Sequence, residues 1–258
     1  MTTFKHSGTL GDLIYSLSVV KKIAEIVKDE VVFKVAIGNI DNIVREYFGH
    51  DTDPAHSGRF TEKDFELLSP LLLRQPYIQK VERWYPGDPE PDVDLDKFRG
   101  VLFKEFQGNY IEAYHRTFNL PLTPNDFTDA WLEVDAVTIK PIVVSRTFRY
   151  RTEEPEGTVV HKMLALESDL EKNGIFVGTT AEHEDYVNTT KVDVPYYPVS
   201  NFLELSSVIA GANLVFSNQT FVYSLAIGLG KGTVLETRKT MPLSFNECYF
   251  PRKNCHYF

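Results

Sequence analysis

The segment Ser7–Leu13 carries the residue types and spacing that best fit ligand chemistry. It places Gly8 and Gly11 before Asp12, between a short strand candidate and an apolar periodic stretch. Glycine lets the backbone approach a ligand closely, and the free N–H groups at the start of a helix attract anions. Gly8, Thr9, Gly11 and Asp12 are therefore predicted to hold a phosphate or an acceptor hydroxyl. The alternative is a tight turn in which Asp12 only stabilises the first helical turn.

A second candidate segment, Val143–Arg151, begins as an apolar strand and ends as a basic loop. Ser145 closes the strand, and Arg146, Arg149 and Arg151 follow it. Guanidinium groups form strong hydrogen bonds with phosphate oxygens and stabilise charge on a departing group. In an otherwise acidic chain, these arginines predict a diphosphate site. The alternative is a solvated basic loop.

Strand and helix patterns alternate along the chain, which is typical of sheets covered by helices. Apolar residues recur at three- and four-residue spacing from Leu13 to Val27, and Val31–Ile37 follows as a strand-like run closed by Gly38. After a proline-containing loop, a second alternating series begins at Pro141. The sequence therefore predicts an α/β protein with two halves of similar size.

The predicted strands and helices are spread over both halves. Strands are expected at 4–6, 31–37, 81–85, 141–145, 174–178, 214–217 and 233–236. Helices are expected at 12–27, 65–74, 111–119, 163–172, 202–210 and 220–227, with residues 157–160 preceding the fourth of them.

Composition and charge exclude several classes of protein. The 258 residues carry a formal net charge of −9, with 43% apolar and 24% charged residues. Such a chain has no broad attraction for nucleic acid or an anionic membrane, and no apolar run reaches the roughly 20 residues needed to cross a bilayer. Because Met1–Lys5 lacks a signal-peptide pattern, the protein is expected in the cytoplasm. Cys248 and Cys255 are expected to be reduced thiols, since a zinc site needs more ligands at tighter spacing.

The stretch Ser7–Leu17, SGTLGDLIYSL, resembles the N-terminal motif of the heptosyltransferase-like glycosyltransferases (ADP-heptose:LPS heptosyltransferases, glycosyltransferase family 9), in which a Gly-Asp pair follows the first strand. The resemblance implies a GT-B fold, in which two Rossmann-like domains face each other across a cleft. It implies an N-terminal acceptor domain at 1–137, a C-terminal nucleotide-sugar domain at 138–240 and a C-terminal return segment at 241–258. It also implies that Asp12 is the catalytic base, because a carboxylate can take the proton of an acceptor hydroxyl as that hydroxyl attacks a nucleotide sugar.

Three segments of the second half are similar to donor-binding parts of the same family. The segment with Ser145 and the three arginines resembles the one that meets the donor phosphates. Phe176–Glu182 resembles a strand that ends in a glycine-containing loop, which implies that Gly178 and Glu182 approach the donor. Leu203–Thr220 resembles the stretch that closes the donor pocket, which implies phosphate binding by helix N-terminal amides around Asn218, Gln219 and Thr220.

The last of these segments departs from the family pattern. Relatives have Asp-Ser/Thr-Gly where this chain has Asn218-Gln219-Thr220, and a His where it has Tyr223. An amide thus replaces a carboxylate, and a phenol replaces an imidazole. These replacements motivate an alternative interpretation, a noncatalytic protein that binds nucleotides or glycans.

The resemblance implies a sugar transferase with a nucleotide sugar as co-substrate, a glycan or other hydroxyl compound as acceptor, no cofactor and no obligatory metal. Compact chains with the FKHSG start resemble phage proteins, which implies a host cytoplasm as the location. It also gives a third interpretation, transfer of the sugar to modified bases in phage DNA.

Two features outside these motifs are expected to be ordinary surface. The alternating carboxylates of Asp92, Asp94 and Asp96 suggest a metal site, but such runs on loops are more often solvated. His161 and His183 are expected to be surface or loop histidines.

Overall fold

The computed structural model of the chain describes residues 1–38, 60–102, 108–152, 156–237 and 247–258. The described elements of the first half are β1 (Thr2–His6), α1 (Leu10–Val27), β2 (Val31–Ala36), α2 (Glu62–Leu73), β3 (Lys80–Trp84), β4 (Val93–Asp94), a 3-10 helix (Leu95–Phe98), α3 (Arg99–Leu102), α4 (Tyr110–Thr117) and α5 (Pro124–Thr128). Those of the second half are β5 (Ile142–Ser145), α6 (Glu156–Ser168), α7 (Leu170–Asn173), β6 (Gly174–Phe176), α8 (Thr180–Thr190), α9 (Phe202–Gly211), β7 (Leu214–Asn218), α10 (Phe221–Gly228), β8 (Gly232–Glu236) and β9 (Cys255–Tyr257).

Each half builds one parallel sheet, so the predicted α/β class is confirmed. The strand order is β3-β2-β1-β4 in the first sheet and β6-β5-β7-β8-β9 in the second. Parallel strands end at a common edge, and ligands of open parallel sheets bind beyond that edge. The loop after His6 and the loop after Ser145 therefore lie at the ligand-binding edges of their sheets.

Helix α1 covers the first sheet with the apolar residues that predicted it. Leu13, Leu17 and Val20 are fully buried. Thr9 is the N-cap, and Asp12 at the third helical position completes a capping box with it. The helix therefore begins at Leu10, two residues before the expected start. None of the helices in the described part of the chain combines the length and apolarity of a membrane span.

The two halves share one continuous hydrophobic core, in which α1 packs on α10. A Cβ added to Gly228 at the end of α10 would lie 2.8 Å from Leu132 Cδ1 and 3.1 Å from Trp131 Nε1. Trp131 Nε1 donates a hydrogen bond to the Ile14 carbonyl at 3.0 Å. The connection between the halves is thus fastened to a helix of each. The domain limits at 137 and 240 stay a prediction.

The clearest difference from the predicted elements lies at residues 156–168. A helix was expected at 163–172, whereas α6 spans Glu156–Ser168 and α7 spans Leu170–Asn173. The β-branched pair Val159-Val160 disfavours a helix locally, but packing overrides that preference. Gly157 lies in the first turn because the helix approaches a buried ion cluster there: an added Cβ would come 2.6 Å from Glu236 Oε1.

This ion cluster joins the carboxyl ends of β5 and β8. Arg146 donates from Nε and Nη2 to the two carboxylate oxygens of Glu236, both at 2.8 Å. His161 Nε2 lies 3.1 Å from Glu236 Oε2, and the Thr152 N–H donates to Oε1 at 3.0 Å. Burial opposes ionisation of Glu236, yet hydrogen bonds from Arg146 and His161 lower its pKa to about 2. The expectation that His161 is a surface residue is wrong, since it is 1% exposed.

Glu236→Gln should destabilise the fold by about 3–5 kcal/mol, because it leaves the Arg146 charge buried without its counter-charge. Urea unfolding of the purified chain and variant at neutral pH measures the difference. The folded-state pKa of about 2 lies below the ordinary value of 4.5. The carboxylate therefore contributes its full stability above about pH 4.5 and loses it as the pH falls toward 2. The difference between the chain and the variant should shrink over that interval.

Glu62→Gln is the matched control for the Glu236 variant. Glu62 pairs with Arg83 at 2.6 Å, but both side chains are exposed to solvent. Exposed ion pairs contribute little to stability, so this variant should unfold at nearly the same urea concentration as the chain itself. If Glu62→Gln and Glu236→Gln lowered the free energy of unfolding equally, the conclusion that the buried ion cluster stabilises the fold would be wrong.

Candidate active site

Asp12 lies where the loop after β1 enters α1. Its carboxylate accepts the Thr9 N–H at 3.3 Å and lies 3.1 Å from Nη2 of Arg99. The Asp12 side chain keeps 15% of its surface exposed, so a ligand can reach it. A carboxylate fixed in this way can accept a proton from a hydroxyl group placed against its open side.

Arg99 connects Asp12 to the turn before it. Its Nη1 pairs with Asp96 at 2.5 Å, and its Nη2 also donates to the carbonyl of Gly8. Asp96 in turn accepts the Ser7 N–H at 3.2 Å. Gly8 has a φ of 122°, a conformation that favours glycine. Arg99 and Asp96 therefore hold both this turn and Asp12, the candidate base.

His6 supports this turn as a neutral ring. Its Nδ1 accepts the Gly8 N–H at 3.0 Å, so its proton is assigned to Nε2, which lies 2.9 Å from the Tyr114 hydroxyl. Tyr114 donates onward to the Asp12 carbonyl at 3.0 Å. Burial lowers the pKa of His6 to about 4, which keeps the ring uncharged at neutral pH. A chain of hydrogen bonds thus connects the end of β1 to the first turn of α1.

Acidic residues of the run at 92–96 form hydrogen bonds with β1 of the first sheet. Asp92 accepts the Thr3 N–H and hydroxyl, both at 2.8 Å, and Asp94 accepts from Lys5 Nζ at 3.0 Å. The expectation of a solvated run is wrong for Asp96, which is 2% exposed. Within the described residues, no group of three His, Cys, Asp or Glu side chains could hold a metal ion.

The structure brings the turn at the start of α1 next to the second half. Thr9 is exposed, and a Cβ added to Gly11 would lie 3.8 Å from Ser224 Oγ in the first turns of α10. The Ser224 N–H donates to the carbonyl of Thr220, the N-cap of α10. Two segments that were predicted separately, one in each half, therefore lie side by side.

The basic loop after β5 is fastened by Asn218 at the end of β7. Its Oδ1 accepts the Thr147 N–H at 3.1 Å, and its Nδ2 donates to the carbonyls of Thr147 and Arg149 at 3.1 and 2.5 Å. An aspartate could accept the first bond but could not donate the others. The side chain of Asn218 is therefore engaged with the loop and fully buried, and the predicted phosphate binding by the backbone amides around Asn218 stays a prediction.

The three arginines of the basic loop have different environments. Arg146 is fully buried and paired with Glu236, so its predicted phosphate contact is corrected to a structural role. Arg151 donates to the Thr147 carbonyl and pairs with Asp185, both at 2.6 Å. Arg149 is exposed and donates to the Tyr150 hydroxyl at 2.7 Å. The predicted phosphate contact stays a prediction for Arg149 and Arg151. Ser145, the last residue of β5, is buried beneath the loop.

Gly178 and Glu182 lie beyond the end of β6. Gly178 has a φ of 147°, and an added Cβ would lie 3.0 Å from Glu182 Oε2. Glu182 Oε2 also accepts the Thr179 N–H and hydroxyl, both at 2.8 Å, in a capping box for α8. Their predicted approach to the donor stays a prediction.

Gln219 and Thr220 form the turn between β7 and α10. Gln219 is 8% exposed, and the Thr220 hydroxyl lies 3.2 Å from that of Ser217. Tyr223 follows in the first turn of α10, where its hydroxyl donates to the Cys248 carbonyl at 2.8 Å. The phenol at this position therefore anchors the C-terminal segment to α10.

Sequence reasoning missed Glu247, which belongs to the surroundings of Asp12. Burial raises the pKa of Glu247 to about 7, and the charge of Asp12 adds to the rise. Burial also raises the pKa of Tyr15 and of Tyr110, and both carboxyl groups contribute to each rise. These two tyrosine rings stack at 4.5 Å. No pattern in the sequence links Glu247 to Asp12, because the electrostatic interaction between them depends on the fold.

Several solved structures of glycosyltransferases have a similar fold. A glycosyl transferase family 9 protein from Veillonella parvula is 10% identical, with a TM-score of 0.60, over 100% of this chain and 84% of its own. E. coli heptosyltransferase WaaC with ADP is 14% identical, with a TM-score of 0.51, over 99% and 92%. E. coli ADP-heptose LPS heptosyltransferase II is 9% identical, with a TM-score of 0.51, over 100% and 90%. No protein-family model and no curated protein sequence matches the chain. The fold that the motif at Ser7–Leu17 implied is confirmed.

Asn218→Asp should release the basic loop, because a carboxylate would face two carbonyl oxygens that now accept from the amide. The expected cost is about 1–3 kcal/mol for buried groups left without partners. Urea unfolding measures this cost, and amide hydrogen exchange at Thr147 reports the loop directly. Exchange at Thr147 should become faster in the variant.

Asn213→Asp is the control, since Asn213 is an exposed residue just before the same strand. It should leave both the stability and the Thr147 exchange rate unchanged. Protection of Thr147 that survives Asn218→Asp would contradict the role given to this amide.

Proposed function

We propose that this chain is a glycosyltransferase that moves a sugar from a nucleotide-sugar donor to a hydroxyl acceptor, without an obligatory metal ion. The observation that carries the proposal is the placement of Asp12. Its carboxylate is oriented by Arg99 at 3.1 Å, remains open to solvent and lies on the turn beside the entry of α10. The fold that surrounds it is the fold of solved family 9 glycosyltransferases.

In the proposed reaction, the acceptor hydroxyl lies against Asp12 and attacks the anomeric carbon of the donor. Its proton moves to the Asp12 carboxylate as the new carbon–oxygen bond forms. The bond between the anomeric carbon and the phosphate oxygen breaks, and its electron pair leaves with the nucleotide diphosphate. We assign the stabilisation of that charge to Arg149, which is exposed on the basic loop, and to the N–H groups at the start of α10.

The two departures from the family pattern do not oppose this function. Asn218 holds the basic loop through three hydrogen bonds, and Tyr223 holds the C-terminal segment through one. The described hydrogen bonds of both side chains thus go to the backbone of the chain itself. Their side chains give no reason to prefer a noncatalytic protein.

A panel of UDP, GDP, ADP and CMP sugars tests the proposal by calorimetric titration and by release of free nucleotide. ADP sugars come first, because WaaC was solved with ADP. At least one donor should bind and be consumed in the presence of a hydroxyl acceptor, with or without EDTA. Failure of every donor to bind or react would refute the proposed function.

Asp12→Asn should lower the rate of sugar transfer by about a hundredfold or more, because the amide cannot take the acceptor proton. The dissociation constant for the donor should stay within about twofold, since no described contact of Asp12 involves the donor side. Initial rates and calorimetry with the reactive donor measure the two quantities.

Asp64→Asn is the matched control for the loss of a helix-capping carboxylate. Asp64 occupies the same helical position in α2, where it completes a capping box with Thr61. This variant should transfer sugar at the normal rate. If both variants lose activity equally, or if Asp12→Asn retains full activity, Asp12 is a capping residue and not the base.

A further inference from the structure

Tyr110, the first residue of α4, is held against α1 by contacts between aromatic rings. Its ring stacks on that of Tyr15 in α1, with the centroids 4.5 Å apart and the planes within 10° of each other. The ring of Phe98 lies 6.1 Å from it. Stacked aromatic pairs of this kind restrict the orientation of both rings. The position of the Tyr110 side chain is therefore fixed by the fold.

The two helices place Tyr110 close to Asp12. Tyr15 follows Asp12 by three residues in α1, so these two side chains are neighbours on the helix surface, with Cβ atoms about 5–6 Å apart. Tyr114 follows Tyr110 by four residues in α4 and lies one turn further along the same side of that helix. The Tyr114 hydroxyl donates to the Asp12 carbonyl at 3.0 Å. Tyr110 thus has a neighbour of Asp12 on each of the two helices.

The carboxylate of Asp12 is connected to the same aromatic rings through Arg99. The guanidinium group lies 3.1 Å from the Asp12 carboxylate and 4.9 Å from the centre of the Phe98 ring. That ring is the one that contacts Tyr110. The open side of Asp12 and the side chain of Tyr110 therefore belong to one small region, which a single ligand can span.

Tyr110 and Tyr114 differ in what their hydroxyl groups contact. Tyr114 is fully buried, and its hydroxyl is engaged with His6 and with the Asp12 carbonyl. Tyr110 is partly exposed, and within the described part of the chain no hydrogen bond joins its hydroxyl to another residue. A phenol can both donate and accept a hydrogen bond. The Tyr110 hydroxyl therefore keeps both capacities for a ligand.

We propose that Tyr110 is an acceptor-binding residue: its hydroxyl forms a hydrogen bond with one hydroxyl group of a polyol acceptor while another hydroxyl of the same molecule lies against Asp12. This inference rests on the proposed glycosyltransferase function. A ligand that fills both positions needs two hydroxyl groups close together, so the acceptor is a glycan or another polyol. Tyr110 takes no part in proton transfer, because the proton of the reacting hydroxyl goes to Asp12.

Tyr110→Phe removes the hydroxyl and keeps the ring that stacks on Tyr15. With the reactive nucleotide sugar and methyl hexosides as probe acceptors, the acceptor KM should rise about three- to tenfold, the equivalent of one neutral hydrogen bond. The kcat and the dissociation constant of the donor should stay within about twofold, because the lost bond is present both before and during transfer. Initial rates and calorimetry measure these quantities.

Tyr77→Phe is the matched control, since it also removes a tyrosine hydroxyl from the first half. The Tyr77 hydroxyl donates to the Trp131 carbonyl at 2.7 Å, a bond within the core. This variant should unfold at a lower urea concentration and keep the acceptor KM. Equal increases in KM for Tyr77→Phe and Tyr110→Phe would mean that the fold has loosened generally, and the acceptor role would be wrong.

Deoxy analogues of the methyl hexosides identify the hydroxyl that Tyr110 binds. One analogue should have a raised KM with the chain itself, and Tyr110→Phe should not raise that KM further, because the bond is already missing. If Tyr110→Phe raises the KM of every analogue by the same factor, Tyr110 does not contact the acceptor. If the KM of every acceptor is unchanged, the acceptor role is wrong while the transferase function stands.

A titration without donor separates the acceptor role from the transferase function. Carbon-13-labelled tyrosine rings are followed by NMR while methyl hexosides are added, and Tyr110→Phe assigns the Tyr110 signal. The signal should shift as the hexoside binds. A shift in a chain that turns over no nucleotide sugar would refute the transferase function and leave a polyol-binding site at Tyr110. A signal that stays unmoved up to the solubility limit of every hexoside would refute the site itself.

Discussion

The contacts of one guanidinium group determine the geometry of the candidate active site. Arg99 meets the Asp12 carboxylate, the Asp96 carboxylate and the Gly8 carbonyl. A planar group with donors in a fixed fork imposes the relative positions of the groups that it binds. The loop after β1, the acidic run after β4 and the first turn of α1 are therefore tied to one another. The charge balance is also local, because Arg99 lies between the Asp12 and Asp96 carboxylates and Lys5 Nζ lies 3.8 Å from Asp96 Oδ2.

In the second half, the side-chain amide of Asn218 fixes the loop at the candidate site. Asn218 both donates to and accepts from the backbone of the basic loop after β5, which an ionised aspartate at this position could not do. Beneath this loop, Arg146 and Glu236 neutralise each other at the strand ends. Arg149 is the exposed arginine of this loop, and its phosphate contact stays a prediction together with that of Arg151.

Much of the fold could be predicted because its determinants are local. The apolar periodicity of residues 13–27 and the alternation of strands with helices correspond to α1 and to the two parallel sheets. The glycine turn at Gly8 and the start of α1, which lies at Leu10 and was expected at Asp12, also depend on a short stretch of sequence. The start of α6 could not be predicted, because Gly157 fits against Glu236, a residue far along the chain.

The roles of individual side chains were harder to predict than the elements that carry them. Three arginines in one loop look alike in sequence, yet Arg146 is buried and Arg149 is exposed. The difference arises because Arg146 pairs with Glu236. The spacing of residues in the sequence does not show that Arg146 and Glu236 lie close together in the fold. Glu247 presents the same difficulty in a stronger form, since its neighbour Asp12 lies near the other end of the chain.

Tyr223 and Asn218 change the family pattern in a connected way. Each replaces a side chain that could contact a ligand with one that binds backbone carbonyl groups nearby. Tyr223 fixes the C-terminal segment, and Asn218 fixes the loop that carries Arg149. In the proposed mechanism, the acceptor meets Asp12, and the donor meets a loop whose shape depends on one buried amide.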